Sequence, residues 1–94
     1  MTDDDYSFEW DEAKRLATIA KHGIDFAAAI RIFRKRYVEI PGRSNIEERR
    51  IAIGSLDGKV IAVVFTRRGE AIRIVTARVA RRHERENFRT LHDG

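Results

Sequence analysis

Between Ile72 and Arg89 the chain reads IRIVTARVARRHERENFR. Six arginines fall in this stretch: Arg73, Arg78, Arg81, Arg82, Arg85 and Arg89. His83, Glu84 and Glu86 sit among them. Such a mixture suits holding a phosphodiester and moving protons around it. A guanidinium matches two phosphate oxygens with its fork and stays charged at any physiological pH. RNA can be cleaved without a metal when the 2′-hydroxyl attacks the neighbouring phosphate. That chemistry needs a group to take the 2′ proton, a group to protonate the 5′ leaving oxygen, and cations for the charge that grows on the phosphoryl oxygens. Positioned acids and bases contribute about 10²–10⁴-fold each, and preorganised donors at the developing charge about 10²–10³-fold.

The residues that could fill these roles are spread along the chain. His22 is the best-placed titratable side chain, because a histidine's reference pKa of about 6.5 allows either proton role near neutral pH. A histidine in the last helical turn before glycine also commonly just complements the helix C-terminus. Arg73 projects from the polar side of a strand. Arg50, near small Ala52 and Gly54, could share that surface, and Arg78 sits where the strand passes into a helix. Glu84 is a candidate base, although an ion pair with Arg81 three residues earlier is its ordinary role. Lys14, Lys21, Arg49, Arg67, Arg81, Arg82 and Arg85 are candidates for binding an RNA backbone. Solvated surface charge is the plainer reading of the two lysines, and His83 and His92 read as surface residues.

Other chemistries have less support. The chain has no cysteine, which excludes a disulfide scaffold and a thiolate zinc site and fits a cytoplasmic home. Its three histidines form no H-x-x-x-H or H-E-x-x-H pattern, and no phosphate loop or G-x-G-x-x-G is present. Neither a metal nor a nucleotide cofactor is expected. The longest apolar run, Val60 to Phe65, is too short to span a bilayer. The opening MTDDD lacks the hydrophobic region of a secretory leader, and residues 1–5 are expected to be a disordered lead-in. A formal net charge of +4 and a pI near 10 favour a polyanionic partner.

Ninety-four residues without repeats or a composition break predict one α+β domain. Tyr6, Phe8 and Trp10 alternate with polar residues as in a short strand with an aromatic core face. Asp11 caps a helix whose apolar stripe, Ala13, Leu16, Ala17 and Ala20, should be buried. Gly23 ends it. Asp25 caps a second helix with the stripe Phe26, Ala29, Ile30 and Phe33, and the short link predicts an αα-hairpin or a sharply bent pair. Four strands then follow: 37–40, stopped by Pro41-Gly42; 50–56; 59–66, the most apolar and so central; and 71–76. A polar loop fills 43–48, Asp57-Gly58 is a type I′ hairpin signal, and Arg67-Arg68-Gly69 makes the next turn. Each connection is too short for a crossover, so the sheet is expected to be a four-stranded antiparallel meander. A last helix over about 78–91, with Thr76 as a possible cap, has a thin apolar seam of Ala80, Phe88 and Leu91.

Several of these pieces, in this order, resemble the BrnT toxins. They are Phe8-Glu9-Trp10-Asp11, Lys14, Lys21-His22-Gly23, Glu48-Arg49-Arg50, the run from Val63 to Gly69, the run from Ile72 to Arg78, Arg82 and Glu84-Arg85-Glu86. The resemblance covers roughly Phe8 to Phe88. It implies a RelE-like fold and a metal-independent endoribonuclease that halts growth by cutting RNA. It also implies a BrnA-type antitoxin with a ribbon-helix-helix domain, DNA being met only through the toxin–antitoxin complex. Two positions depart from the pattern: Thr18 stands where relatives commonly carry Asn, and Phe88 where they commonly carry Tyr. Two other readings suit the same charges. One is a noncatalytic nucleic-acid-binding module, the other a protein-interaction subunit with a basic docking face.

Overall fold

The computed structural model describes residues 7–43 and 48–93, the side chains of residues 92 and 93 excepted. Tyr6, the acidic lead-in, the interior of the 43–48 loop and the His92 side chain lie outside the described residues. The elements run β1 (Ser7–Trp10), α1 (Glu12–His22), α2 (Phe26–Ala29), a 3₁₀ turn (Ile30–Arg34), β2 (Val38–Pro41), β3 (Arg50–Leu56), β4 (Lys59–Arg68), β5 (Ala71–Val79) and α3 (Arg82–Asp93). No helix is long and apolar enough to cross a membrane among the described residues.

The four expected strands form the antiparallel meander, with β4 between β3 and β5, but the sheet has five strands and is mixed. The fifth is β1, which lies parallel to β5 with Phe8 opposite Ile72 and Trp10 opposite Ile74. Local sequence cannot announce this pairing, since its two strands lie near opposite ends of the chain. Asp57 and Gly58 take φ of 50° and 85°, as a two-residue I′ turn requires. Pro41 closes the edge strand β2, where its missing N–H costs no interior hydrogen bond.

Strand alternation gives the sheet two differently covered faces. On one, Phe26, Ala29, Ile32 and Phe33 pack on Ala52, Ile61, Val63, Phe65, Ile72 and Ile74. Phe8 and Trp10 join this core, their rings 5.5 Å from Phe33 and 6.0 Å from Phe26. On the other face Ile53, Ala80 and Phe88 form a smaller cluster with Val38, Ile40, Ile51 and Val60 around it. Phe88 is buried there, so at this position the ring serves packing.

The second helix corrects the periodic reading. It is α-helical for only one turn and continues as 3₁₀, so Ile32 is buried beside Phe33, and Ile30 only partly. The 3₁₀ turn comes close to β3: a Cβ built on Gly54 would stand 2.8 Å from the Ile32 Cβ. Neither backbone can yield easily in so packed a layer. Gly54→Ala is therefore expected to cost about 1–3 kcal/mol of stability, read as a lower urea midpoint at unchanged m-value.

Helix α1 inverts its expected orientation. Ala13, Leu16, Ala17 and Ala20 all face solvent, Leu16 at 54% exposure. The inward side carries buried Thr18 with half-buried Arg15, Ile19 and His22. The reason is topological. The helix packs against β5, whose edge β1 covers only from Ala71 to Ile74, and Thr18 is the residue of α1 that is buried. The α1–α2 link is held where Arg15 Nη1 meets Asp25 Oδ2 at 3.1 Å, and Gly23 supplies its left-handed φ of 69°.

The last helix also starts later than its sequence suggests. Thr76 does not cap it, because β5 continues through Val79. Ala80 is accordingly buried ahead of the helix.

Candidate functional site

Strand register sorts the candidate arginines. Arg73 lies opposite Thr66, Thr76 opposite Val64, and Arg78 opposite Ala62, which in turn opposes Ile53. Directly opposed residues share a face, so Arg73, Thr76 and Arg78 share the face that carries α3. Arg50 lies opposite Phe65, in the helix-covered core. It therefore projects from the other face, and the expectation that Arg50 and Arg73 share one surface is corrected.

A bulge shapes β5 at this point. Val64 pairs with Thr76 but Phe65 with Ile74, leaving Val75 as an extra residue. Bulges re-aim side chains and terminate regular pairing. Here Val75 and Thr76 line a cavity of about 300 Å³ with Lys14, Ala17, Thr18, Lys21 and His22 of α1 and Arg49 from the approach to β3. Four of the candidates read from sequence, Lys14, Lys21, His22 and Arg49, meet here from segments far apart in the chain. Among the described residues no carboxylate lines the cavity. Lys14 and Lys21 come together because they are two helical turns apart, and the Asp11 side chain fixes the start of α1 by accepting from the Lys14 N–H at 3.2 Å. Thr18, Val75 and Thr76 escaped sequence reasoning as lining residues. The spacing of Lys14, Thr18 and Lys21 on one side of α1 was the only available signal for Thr18, and nothing local marks the bulge.

The other candidates have partners within the fold. Arg73 Nη1 donates to Glu9 Oε2 at 2.8 Å across the β1–β5 pair. Arg78 makes a two-pronged pair with Glu84, at 2.7 and 2.9 Å. Glu84 also accepts from the Arg81 backbone N–H at 2.7 Å, and its side chain is 1% exposed. The Glu84 carboxyl is held below the ordinary carboxylate range, first by the Arg78 hydrogen bonds and then by the Arg81 N–H, against the opposing effect of burial. Its expected ion pair with the Arg81 side chain is replaced by this backbone bond, an N3-to-Ncap contact. A buried, doubly engaged, low-pKa carboxylate is poorly suited to take a proton from substrate. Arg81, Arg82 and Arg85 surround the N-terminal turn of α3. Arg82 is extended to solvent at 88% with Glu86 at 3.4 Å, whereas Arg85 Nη1 donates to the Ala80 carbonyl at 2.6 Å.

A second cluster lies on the opposite face. Glu39 accepts from Arg50 Nε at 2.8 Å and from both Arg67 amines at 3.0 Å. The Arg67 bonds foremost, then Arg50, hold its carboxyl below the usual range against the opposing effect of burial. The Arg67 guanidinium also lies 5.1 Å from the Phe65 ring centre. These contacts tie edge strand β2 to β3 and β4, which is a structural task. Among the described residues no group of three or more His, Asp or Glu side chains is placed to hold a metal ion.

A family model described as the ribonuclease toxin BrnT of type II toxin–antitoxin systems matches residues 10–84. The chain belongs to the BrnT family. This match takes in α1, the whole meander and Glu84, and so every residue lining the cationic cavity. A search of curated proteins finds no match to the chain. Membership in this family of ribonuclease toxins implies an RNA target and an antitoxin partner.

Proposed function

We propose that this BrnT-family protein is a metal-independent endoribonuclease whose active surface is the cavity between α1 and the bulged segment of β5. The observation that carries the reading is the convergence of Lys14, Lys21, Arg49 and His22 there, with no carboxylate among the described lining residues. A hollow lined by cations favours a phosphate, and the imidazole at its wall adds a proton-transfer group. The 2′-oxygen attacks phosphorus, the P–O5′ bond breaks, and a 2′,3′-cyclic phosphate and a 5′-hydroxyl result. His22 takes the 2′ proton or delivers one to the 5′ oxygen. Lys14, Lys21 and Arg49 hold the phosphate, and Arg73 contributes by exchanging Glu9 for a phosphate oxygen. Arg78 and Glu84 position α3, while Arg81, Arg82 and Arg85 offer charge to RNA beyond the cut. Arg50 and Arg67, on the other face, keep the sheet edge in place.

The finer parts of this reading rest on the family resemblance. They are a RelE-like architecture, a BrnA-type ribbon-helix-helix antitoxin that meets DNA on behalf of the complex, and action in the cytoplasm. A mutant pair tests the cavity as the RNA contact. Lys14→Ala with Lys21→Ala removes two phosphate contacts from an exposed helix side, so the fold should survive. RNA affinity is expected to fall and the slope of log K against log salt to flatten by about 1.4, roughly 0.7 for each contact to a single strand. An unchanged slope would place the RNA elsewhere.

A further inference from the structure

His22 lines two cavities. One is the cationic hollow just described. The other, of about 280 Å³, lies at the α1 C-terminus and has carboxylates in its lining. Its walls include Ile24, Leu56, Ile61 and Val79, with Asp25, Asp57 and Lys59 also lining it; the Asp25 oxygens accept from Arg15 and from the Ala27 N–H. Ile61 is 2% exposed and belongs to the main core, whereas Val79 is 52% exposed although it is a large apolar side chain. Asp57 gives one carboxylate oxygen to Arg31 Nη2 at 3.2 Å, and its second has no partner among the described residues. Lys59 likewise has no hydrogen-bond or ion-pair partner for its side chain among them. Asp57 and Lys59 flank Gly58 in the tight turn between β3 and β4, so both side chains start from a backbone of fixed geometry.

Partly apolar walls with one unengaged acceptor, on Asp57, and one unengaged donor, on Lys59, suit a nucleobase, which has flat apolar faces and an edge carrying both hydrogen-bond types. Single-stranded RNA is read by splaying its bases out of the stack and hydrogen-bonding their edges. We infer that this cavity holds the base of a nucleotide adjoining the phosphate in the cationic hollow, and so sets the base preference of cleavage. His22, as the wall common to both, stands between the base that is read and the phosphate that is cut. This inference rests on the ribonuclease reading.

The test is to sequence the 5′ ends produced from a randomised RNA pool by the wild-type protein, Val79→Glu and Lys59→Gln. Val79 is half exposed at the end of β5, and Lys59 is on an exposed turn, so Lys59→Gln keeps the test alive should Val79→Glu fail to fold. The preference for the favoured base beside the cut is expected to fall about tenfold, within the discrimination that one base contact supplies, through slower cleavage at the favoured base, with cleavage at the disfavoured bases within about threefold of wild type. A changed spectrum in either folded variant supports the subsite. Spectra identical to wild type in both, or an equal loss at every site, overturn it. A wild-type protein that cuts with no base preference also overturns the subsite alone, whereas one that cuts nothing overturns the ribonuclease reading beneath it.

Discussion

Glu84→Ala is expected to lower the unfolding free energy by about 3–5 kcal/mol, the cost of removing one partner from a buried ion pair. The loss has two sources. Arg78, with a side chain only 16% exposed, is left as an unpaired cation against the sheet, and the Arg81 N–H at the start of α3 loses its acceptor. Since a domain of this size has about 5–15 kcal/mol in total, the variant should be close to unfolding at growth temperature. The same pair gives an acid dependence. The folded pKa of Glu84 lies below its ordinary value of 4.5, so the folded state binds fewer protons there. Its stabilisation is complete above about pH 4.5 and is lost as pH falls through the lower folded value. Glu39 acts in the same direction, through Arg67 and Arg50. Urea titrations from about pH 6 to about pH 3 should show a steep acid decline in wild type and a flatter one in Glu84→Ala. Equal slopes would remove the Arg78–Glu84 pair as a source of the acid dependence.

The second large effect is expected at His22. His22→Ala should reduce single-turnover RNA cleavage by about 10²–10⁴-fold, the usual contribution of a positioned proton-transfer group. RNA affinity should change little, because Lys14, Lys21 and Arg49 remain. Stability should fall by no more than about 1 kcal/mol, the scale of a histidine's interaction with a helix C-terminus. Arg73→Ala should also lessen cleavage, with a loss of β1–β5 contact through Glu9 as a side effect. In cells, both variants should relieve growth arrest. Cleavage by His22→Ala within about tenfold of wild type would dismiss the imidazole from the chemistry.

Much of the architecture was legible wherever the signal was local. The Asp57-Gly58 turn, the 50–56 strand and the centrality of β4 all follow from short patterns. Asp11, Gly23 and Asp25 mark the helix ends for the same reason. Features that depend on distant partners were not legible. The position of β1 beside β5 is a pairing across most of the chain. Helix α1 packs chiefly against β5, and the side of it that is buried is the reverse of the one its apolar stripe suggests. An apolar stripe at helical spacing says that a face avoids water; it does not say that this chain covers it.

The site shows the same division. Lys14, Lys21, His22 and Arg49 were identifiable by residue type, but only the fold brings them together. Arg50 could not be assigned to a face without the register, because one residue's shift exchanges the two faces of a strand. Glu84 reads as a helix-surface charge until β5 is seen to extend to Val79. Only then does Arg78, six residues earlier, come within reach of it.

The most direct measurement is incubation of the purified protein with RNA in excess EDTA, followed by chemical identification of the new ends. Cleavage is predicted to persist in EDTA and to leave 2′,3′-cyclic phosphate and 5′-hydroxyl termini. RNA that stays intact at saturating protein, or termini with a 3′-hydroxyl and a 5′-phosphate, would contradict metal-independent cleavage by the 2′-hydroxyl.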